Sequence, residues 1–161
     1  MVYAQLLKDD FDRLAPALRK LHKPGASIRA RGTVTVRHHS RLLAALAGFP
    51  KAGDKIPLEL AVTNGPDGET WIRTFAGSAR QSLQSCRDGV MLERMGPMCL
   101  KLRVYADGED LRLESQGARF WRLPMPVRVR AYERGRGADG WEFEVEVAGV
   151  GSYRGVMELL A

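Results

Sequence analysis

From about Ile56 to the C-terminus, apolar and polar residues alternate with no helical interruption. The clearest piece is Trp141-Glu142-Phe143-Glu144-Val145-Glu146-Val147, with Trp141, Phe143, Val145 and Val147 on one face and glutamates on the other. A period of two is the mark of a half-buried strand, because successive side chains point to opposite faces. The pattern recurs about eight times between turn signals. This predicts a mainly β chain built as an antiparallel barrel or a strongly curved sheet.

Before that region the pattern is different. Tyr3, Leu6, Leu7 and Phe11 recur at helical spacing, as do Leu14, Leu18 and Leu21. Pro16 has no N–H and clashes with the preceding turn, so two short helices are predicted over residues 1–23, with Pro16 opening the second. Lys23-Pro24-Gly25 ends them. In the next strand Ile28, Ala30, Gly32, Val34 and Val36 share a face. Ser40 is placed to cap a short helix near 41–47, closed by Gly48 and Pro50, which could cover one end of a barrel.

Asn64-Gly65-Pro66-Asp67-Gly68, Arg87-Asp88-Gly89, Asp107-Gly108 and Gly149-Val150-Gly151 punctuate the strands as turns. Gly77 reads as a bend or bulge, and Gly96-Pro97 as a break in a strand. The count is then eight to nine strands. Closure removes their free edges. One domain is expected over 1–161, with a helical cap at 1–23 and the barrel over 26–161.

Composition changes this picture little. Apolar content of 45% and charged content of 27% are ordinary for a globular chain. The net charge is +6, from 25 Lys and Arg against 19 Asp and Glu. That balance favours anionic partners, but the arginines are spread along nearly every strand, which disfavours nucleic acid. Cys86 and Cys99 read as two reduced thiols, with a bridge still open if a hairpin opposes them. Lys8, Asp9 and Asp10 interrupt any leader-like apolar run, and no stretch approaches a membrane span. A soluble, cytoplasmic protein is expected.

Several stretches together resemble a known domain family. They are Leu14-Ala15-Pro16-Ala17-Leu18-Arg19-Lys20-Leu21-His22, then Leu42-Leu43-Ala44 through Gly48-Phe49-Pro50, then Trp71-x-Arg73-x-Phe75-x-Gly77. Glu93-Arg94-Met95-Gly96-Pro97, Trp121-Arg122-Leu123-Pro124-Met125-Pro126 and Tyr153-Arg154-Gly155 follow in order. The chain resembles, over nearly its whole length, an uncharacterised bacterial domain of unknown function. The resemblance implies a domain found alone or C-terminal to saccharopine-dehydrogenase-like or other reductase-like Rossmann domains, and so a possible reductase-like partner. It implies no activity. One departure is Ala118-Arg119-Phe120 before Trp121, where a Gly-Trp-Arg-like stretch is expected.

Of the residues that could carry chemistry, Trp71, Arg73 and Phe75 stand out, because alternation puts all three on one face. If that face is interior, a guanidinium sits between two aromatic rings and must be paired. Glu93, next to Arg94, is the natural partner. A plain structural ion pair, or an outward Arg73 stacked on its neighbours, is the competing reading. Arg80, Ser82, Gln84 and Cys86 make a polar face whose opposite face is also polar, so that strand either lines a wet cavity or forms an exposed edge. Tyr105, Trp121, Tyr132 and Tyr153 could supply hydroxyls or stacking walls.

Enzyme signatures are missing. His22 sits at a helix end, where a cation suits the dipole. His38 and His39 point to opposite strand faces. The sequence contains no Cys-x-x-Cys, His-Glu-x-x-His, Gly-x-Ser-x-Gly or P-loop. Gly135 to Gly140 joins two strands and opens no helix, so it is no phosphate cradle. The combined expectation is a lipocalin-like (calycin-like) barrel binding a small amphipathic or anionic ligand, acyl- or phosphate-bearing, through Trp71, Arg73, Phe75, Glu93, Arg94, Trp121 and Tyr153. No catalytic residue, metal or cofactor is expected. The alternatives are an accessory domain that docks an oxidoreductase through an Arg80–Ser85 edge, and an enzyme using acid–base residues of the pocket.

Overall fold

The computed structural model describes residues 2–160; Met1 and Ala161, the outermost residues of the expected domain, lie outside the described residues. Helix α1 (Val2–Leu7) runs into a 3-10 helix (Lys8–Arg13) and is followed by α2 (Pro16–Leu21), with Pro16 in its first turn. Next come β1 (Ile28–His38), α3 (Arg41–Leu46), β2 (Gly53–Gly65), β3 (Gly68–Phe75) and β4 (Ser78–Arg87). The chain continues with β5 (Val90–Met95), β6 (Met98–Asp107), β7 (Asp110–Phe120) and β8 (Leu123–Met125). It ends with β9 (Val129–Arg136), β10 (Gly140–Val147) and β11 (Gly151–Leu159).

All ladders are antiparallel, and the wall runs β1-β2-β3-β4-β5-β6-β7-β9-β10-β11 before β11 returns to β1. Ten of the eleven strands therefore close a barrel, while β8 pairs only with β7 and lies outside it. The barrel is larger than the eight to nine strands expected, and two turns explain the difference. Ala76-Gly77 is a two-residue hairpin between Phe75 and Ser78, with φ of 44° and 84°. Two positive φ values are the signature of the type I′ turn, whose twist matches the flanking strands. An alanine at the first position conceals that turn in the sequence. Gly96-Pro97 likewise joins two paired strands, Met95 facing Met98, and does not interrupt one.

Period-two burial runs around the wall. Ala30, Val34 and Val36 on β1, Leu58, Leu60 and Val62 on β2, and Leu100, Leu102 and Val104 on β6 all point inward. The N-terminal helices close one end. Val2, Tyr3, Leu7, Leu14, Leu18 and Leu21 are buried and join the same core as the strands. Ala15 N–H donates to the Glu109 carbonyl (3.0 Å), and Ala15 fills the space that a side chain at position 135 would need, so Gly135 admits α2 to the wall. We call this end the floor.

At the opposite end, the rim, α3 is capped by Ser40, whose hydroxyl accepts from Leu43 N–H (3.3 Å). Here the helix differs from its sequence pattern. Ala44 is the buried residue, while Leu42, Leu43 and Leu46 face solvent. Inward side chains near the floor, such as Leu111, Trp141 and Met157, are fully buried; Phe143, Val145, Val147 and Tyr153, nearer the rim, keep partial exposure. The interior is thus most open along β10 and β11.

The proposed Arg80–Ser85 edge is corrected. β4 pairs with β3 along 78–84 and with β5 along 83–87, so it lies in the wall, only its first residues overhanging the shorter β5. Cys86 and Cys99 are free. They lie on β4 and β6, with β5 between. Among the described residues no helix is long and apolar enough to cross a membrane.

Candidate functional site

Inside the lower half of the barrel, β3, β4 and β5 turn polar side chains inward. Glu69, Ser82, Gln84 and Glu93 are buried. The centre of this cluster is Glu93 Oε1, which accepts from Ser82 Oγ (2.7 Å), Gln84 Nε2 (3.2 Å) and both terminal nitrogens of Arg73 (3.4 Å each). Arg73 Nη1 also donates to Ser82 Oγ (3.0 Å). Such sharing is what a carboxylate needs to survive away from water.

The floor helices complete the cluster from below. Tyr3 hydroxyl donates to Gln84 Oε1 (3.0 Å), and Val2 N–H donates to Glu69 Oε1 (2.9 Å). Trp71 Nε1 reaches Glu69 Oε2 at 3.4 Å. His22 lies wholly inside, its ring 3.7 Å from that of Tyr3 and 5.7 Å from that of Trp71. Its Nε2 is 2.7 Å from Glu133 Oε2 on β9. A carboxylate only accepts, so Nε2 carries the proton in this pair. Nδ1 of the same ring is buried with no hydrogen-bond partner.

Arg73 lines a cavity of about 60 Å³. Leu58, Trp71, Trp141, Phe143 and Tyr153 supply its apolar wall, and Arg73 and Glu133 its charges. The Arg73 guanidinium lies 5.1 Å from the centre of the Trp71 ring, and its side chain is 23% exposed. Burial, the largest single influence, would lower its pKa, but Glu93, Tyr153, Tyr3 and Glu133 together outweigh it, so the net shift is upward and the cation is secure. The Tyr153 ring is the hub of an aromatic group with Phe49, Phe75 and Phe143, at 5.6, 5.7 and 6.0 Å. Burial raises its phenol pKa, partly offset by Arg73, and burial raises that of Tyr3 further. Both hydroxyls are therefore neutral donors.

A larger depression of about 380 Å³ lies on the outer wall between Tyr105, Arg112, Arg130, Tyr132 and Glu144. Its charges face solvent and each other: Tyr105 hydroxyl donates to Glu114 (3.0 Å), and Arg112 lies 5.3 Å over the Tyr132 ring. Solvated pairs of this kind are the usual surface of a strand wall. The interior cavity is the better candidate, because only there are desolvated charges held at fixed positions.

One family model matches residues 14–151, described as a domain of unknown function (DUF4166). The chain belongs to that family. No curated protein and no solved structure matches it. The DUF4166 match takes in His22, Trp71, Arg73, Glu93 and Glu133, but not Tyr3 or Tyr153.

In this DUF4166 chain, Trp71, Arg73, Phe75, Glu93 and Tyr153 of the expected ligand set all point into the barrel, and the Arg73–Glu93 pair forms. Arg94 and Trp121 do not join them. Arg94 follows Glu93 on the strand and so faces outward, exposed. Trp121 sits in the turn between β7 and β8, stacked on Phe120 outside the wall and 76% exposed. Sequence reasoning missed Tyr3, His22, Glu69 and Glu133. Glu69 was within its reach, since it shares the face of Trp71 and Arg73; the other three meet only because the helices enter the barrel.

Proposed function

We propose that this barrel is a lipocalin-like binder of one small amphipathic or anionic molecule, its carboxylate or phosphate meeting Arg73 and its apolar part lying against Phe143, Val145 and Tyr153. The observation that carries this is a guanidinium with unused donors in a ring-lined hollow. Its protein contacts engage Nη1 twice and Nη2 once. Five N–H groups are present in a guanidinium, so Nε–H and one Nη2–H remain for an acceptor. The neutral Tyr153 hydroxyl is a further donor on the same cavity wall. Bidentate capture of a planar acid is what arginine does best.

The hollow limits the ligand. Pockets for drug-sized molecules run to roughly 300–1,000 Å³. A cavity of about 60 Å³ takes a head group or a very short acid, with any longer tail leaving towards the rim. Native mass spectrometry of the protein purified from cells tests the proposal. A co-purified small molecule on the wild type and its loss in Arg73→Met supports it. A thermal-shift panel of short carboxylates and inorganic phosphate provides the second arm. An empty protein that none of the panel stabilises would overturn it.

A further inference from the structure

The two ends of the barrel carry different chemistry, and the rim has the makings of an interface. Its connections are residues 39–52, 76–77, 96–97, 121–128 and 148–150. They contribute Arg41, Lys51, Arg122 and Arg128 and no carboxylate. The floor, by contrast, is mixed: Asp9, Asp10, Asp12, Asp67, Asp88, Glu109 and Asp139 lie among Lys8, Arg13, Arg19, Lys20 and Lys23. Only the rim connections carry charge of a single sign.

Exposed apolar side chains concentrate at the same basic end. Leu42 and Leu46 of α3 are 69% and 76% exposed, and Phe120, Trp121, Leu123 and Met125 stand free on the β7–β8 hairpin across the rim. These are two separate apolar patches on one end of the barrel, placed for a flat surface that touches both. Trp121 is also held there at a backbone cost. Its φ is 54°, a left-handed value that bulky residues avoid, and its N–H is pinned to the Pro97 carbonyl at 2.7 Å.

We infer that the rim docks on an anionic lipid surface, with Trp121 and the α3 leucines entering the interfacial layer and the arginines meeting lipid phosphates. Charge complementarity selects this occupant. A second copy docked rim to rim would oppose basic residues to basic residues, and one docked rim to floor would meet Lys8, Arg13, Arg19, Lys20 and Lys23, whereas an anionic bilayer offers negative charge and an apolar layer beneath it. Tryptophan is the side chain best suited to that boundary.

Vesicle co-sedimentation of the full chain tests this, using phosphatidylcholine alone and phosphatidylcholine mixed with phosphatidylglycerol. Binding is expected only to the mixed vesicles and should weaken with salt. Trp121 is the exposed tryptophan, Trp71 and Trp141 being 3% and 2% exposed, so a blue shift in emission on binding should vanish in Trp121→Ser. Arg122→Gln with Arg128→Gln should lower partitioning roughly thirtyfold. Arg19→Gln with Lys23→Gln, at the floor, should leave it unchanged. Equal binding to neutral vesicles, no binding at low salt, or an unshifted emission would each overturn the inference. So would a dimer that Leu46→Asp disrupts, or salt-sensitive binding to an oligonucleotide by a protein that ignores vesicles.

Discussion

His22 Nε2 meets Glu133 Oε2 at 2.7 Å although the two residues are 111 positions apart, one at the end of a short helix and the other on a barrel strand. This contact ties the floor to the wall. Breaking it strands a mostly buried carboxylate, 15% exposed, and empties the space between Tyr3 and Trp71. His22→Ala should cost about 3 kcal/mol in urea unfolding, at the lower end of what breaking a buried pair costs. His22→Phe keeps the ring packing and loses only the polar contact, so it should cost less. Equal stability of both variants and the wild type would contradict the contact.

The Arg73–Glu93 pair is open to a double-mutant cycle. Glu93→Leu leaves a guanidinium without its carboxylate and should cost roughly 2–4 kcal/mol, somewhat less than for a fully buried pair because Arg73 can still reach the cavity. Arg73→Met combined with Glu93→Leu removes both charges and should recover most of that loss. Chemical denaturation of the four proteins gives the coupling energy directly.

Alkaline pH should destabilise the protein through its buried tyrosines. The folded pKa values of Tyr3 and Tyr153 lie above the ordinary 10.0, mainly through burial. The unfolded chain therefore gives up those protons first as pH rises, and it binds fewer of them than the native state. Their contribution is intact below pH 10 and lost as pH climbs through the raised native values, with a slope of at most about 1.4 kcal/mol per pH unit per tyrosine. Tyr3→Phe should flatten that alkaline limb, at the cost of the hydrogen bond to Gln84. An unchanged limb in Tyr3→Phe would contradict the assignment.

Ala76 should respond to substitution opposite to habit. Alanine to glycine in a strand or helix usually destabilises, but Ala76 occupies a left-handed position at φ 44°. Ala76→Gly should raise stability by about 0.5–1 kcal/mol, visible as a higher Tm. A lower Tm would mean the turn is not type I′.

Much of the barrel was legible because alternation is local. Trp141 to Val147 announced its inward face without any knowledge of its neighbours, and the same rule aligned Trp71, Arg73 and Phe75 and suggested Glu93 as their partner. That rule also separates Glu93 from Arg94, a consequence the expected ligand set did not respect. Turns were less legible where the residue type runs against the conformation, as at Ala76 and Trp121. The α3 leucines misled because a helical pattern identifies an apolar face without saying what covers it. Tyr3, His22 and Glu133 were beyond reach, since their meeting depends on a helix entering the barrel and not on any spacing along the chain.

The family match begins at residue 14, beyond α1. Yet Val2, Tyr3 and Leu7 are buried in the common core, and Tyr3 holds Gln84 in place. A chain without residues 2–13 would lose the α1 part of its stopper. Glu69 and Gln84 would lose the partners that α1 brings them, and water would wet the innermost carboxylates from beneath.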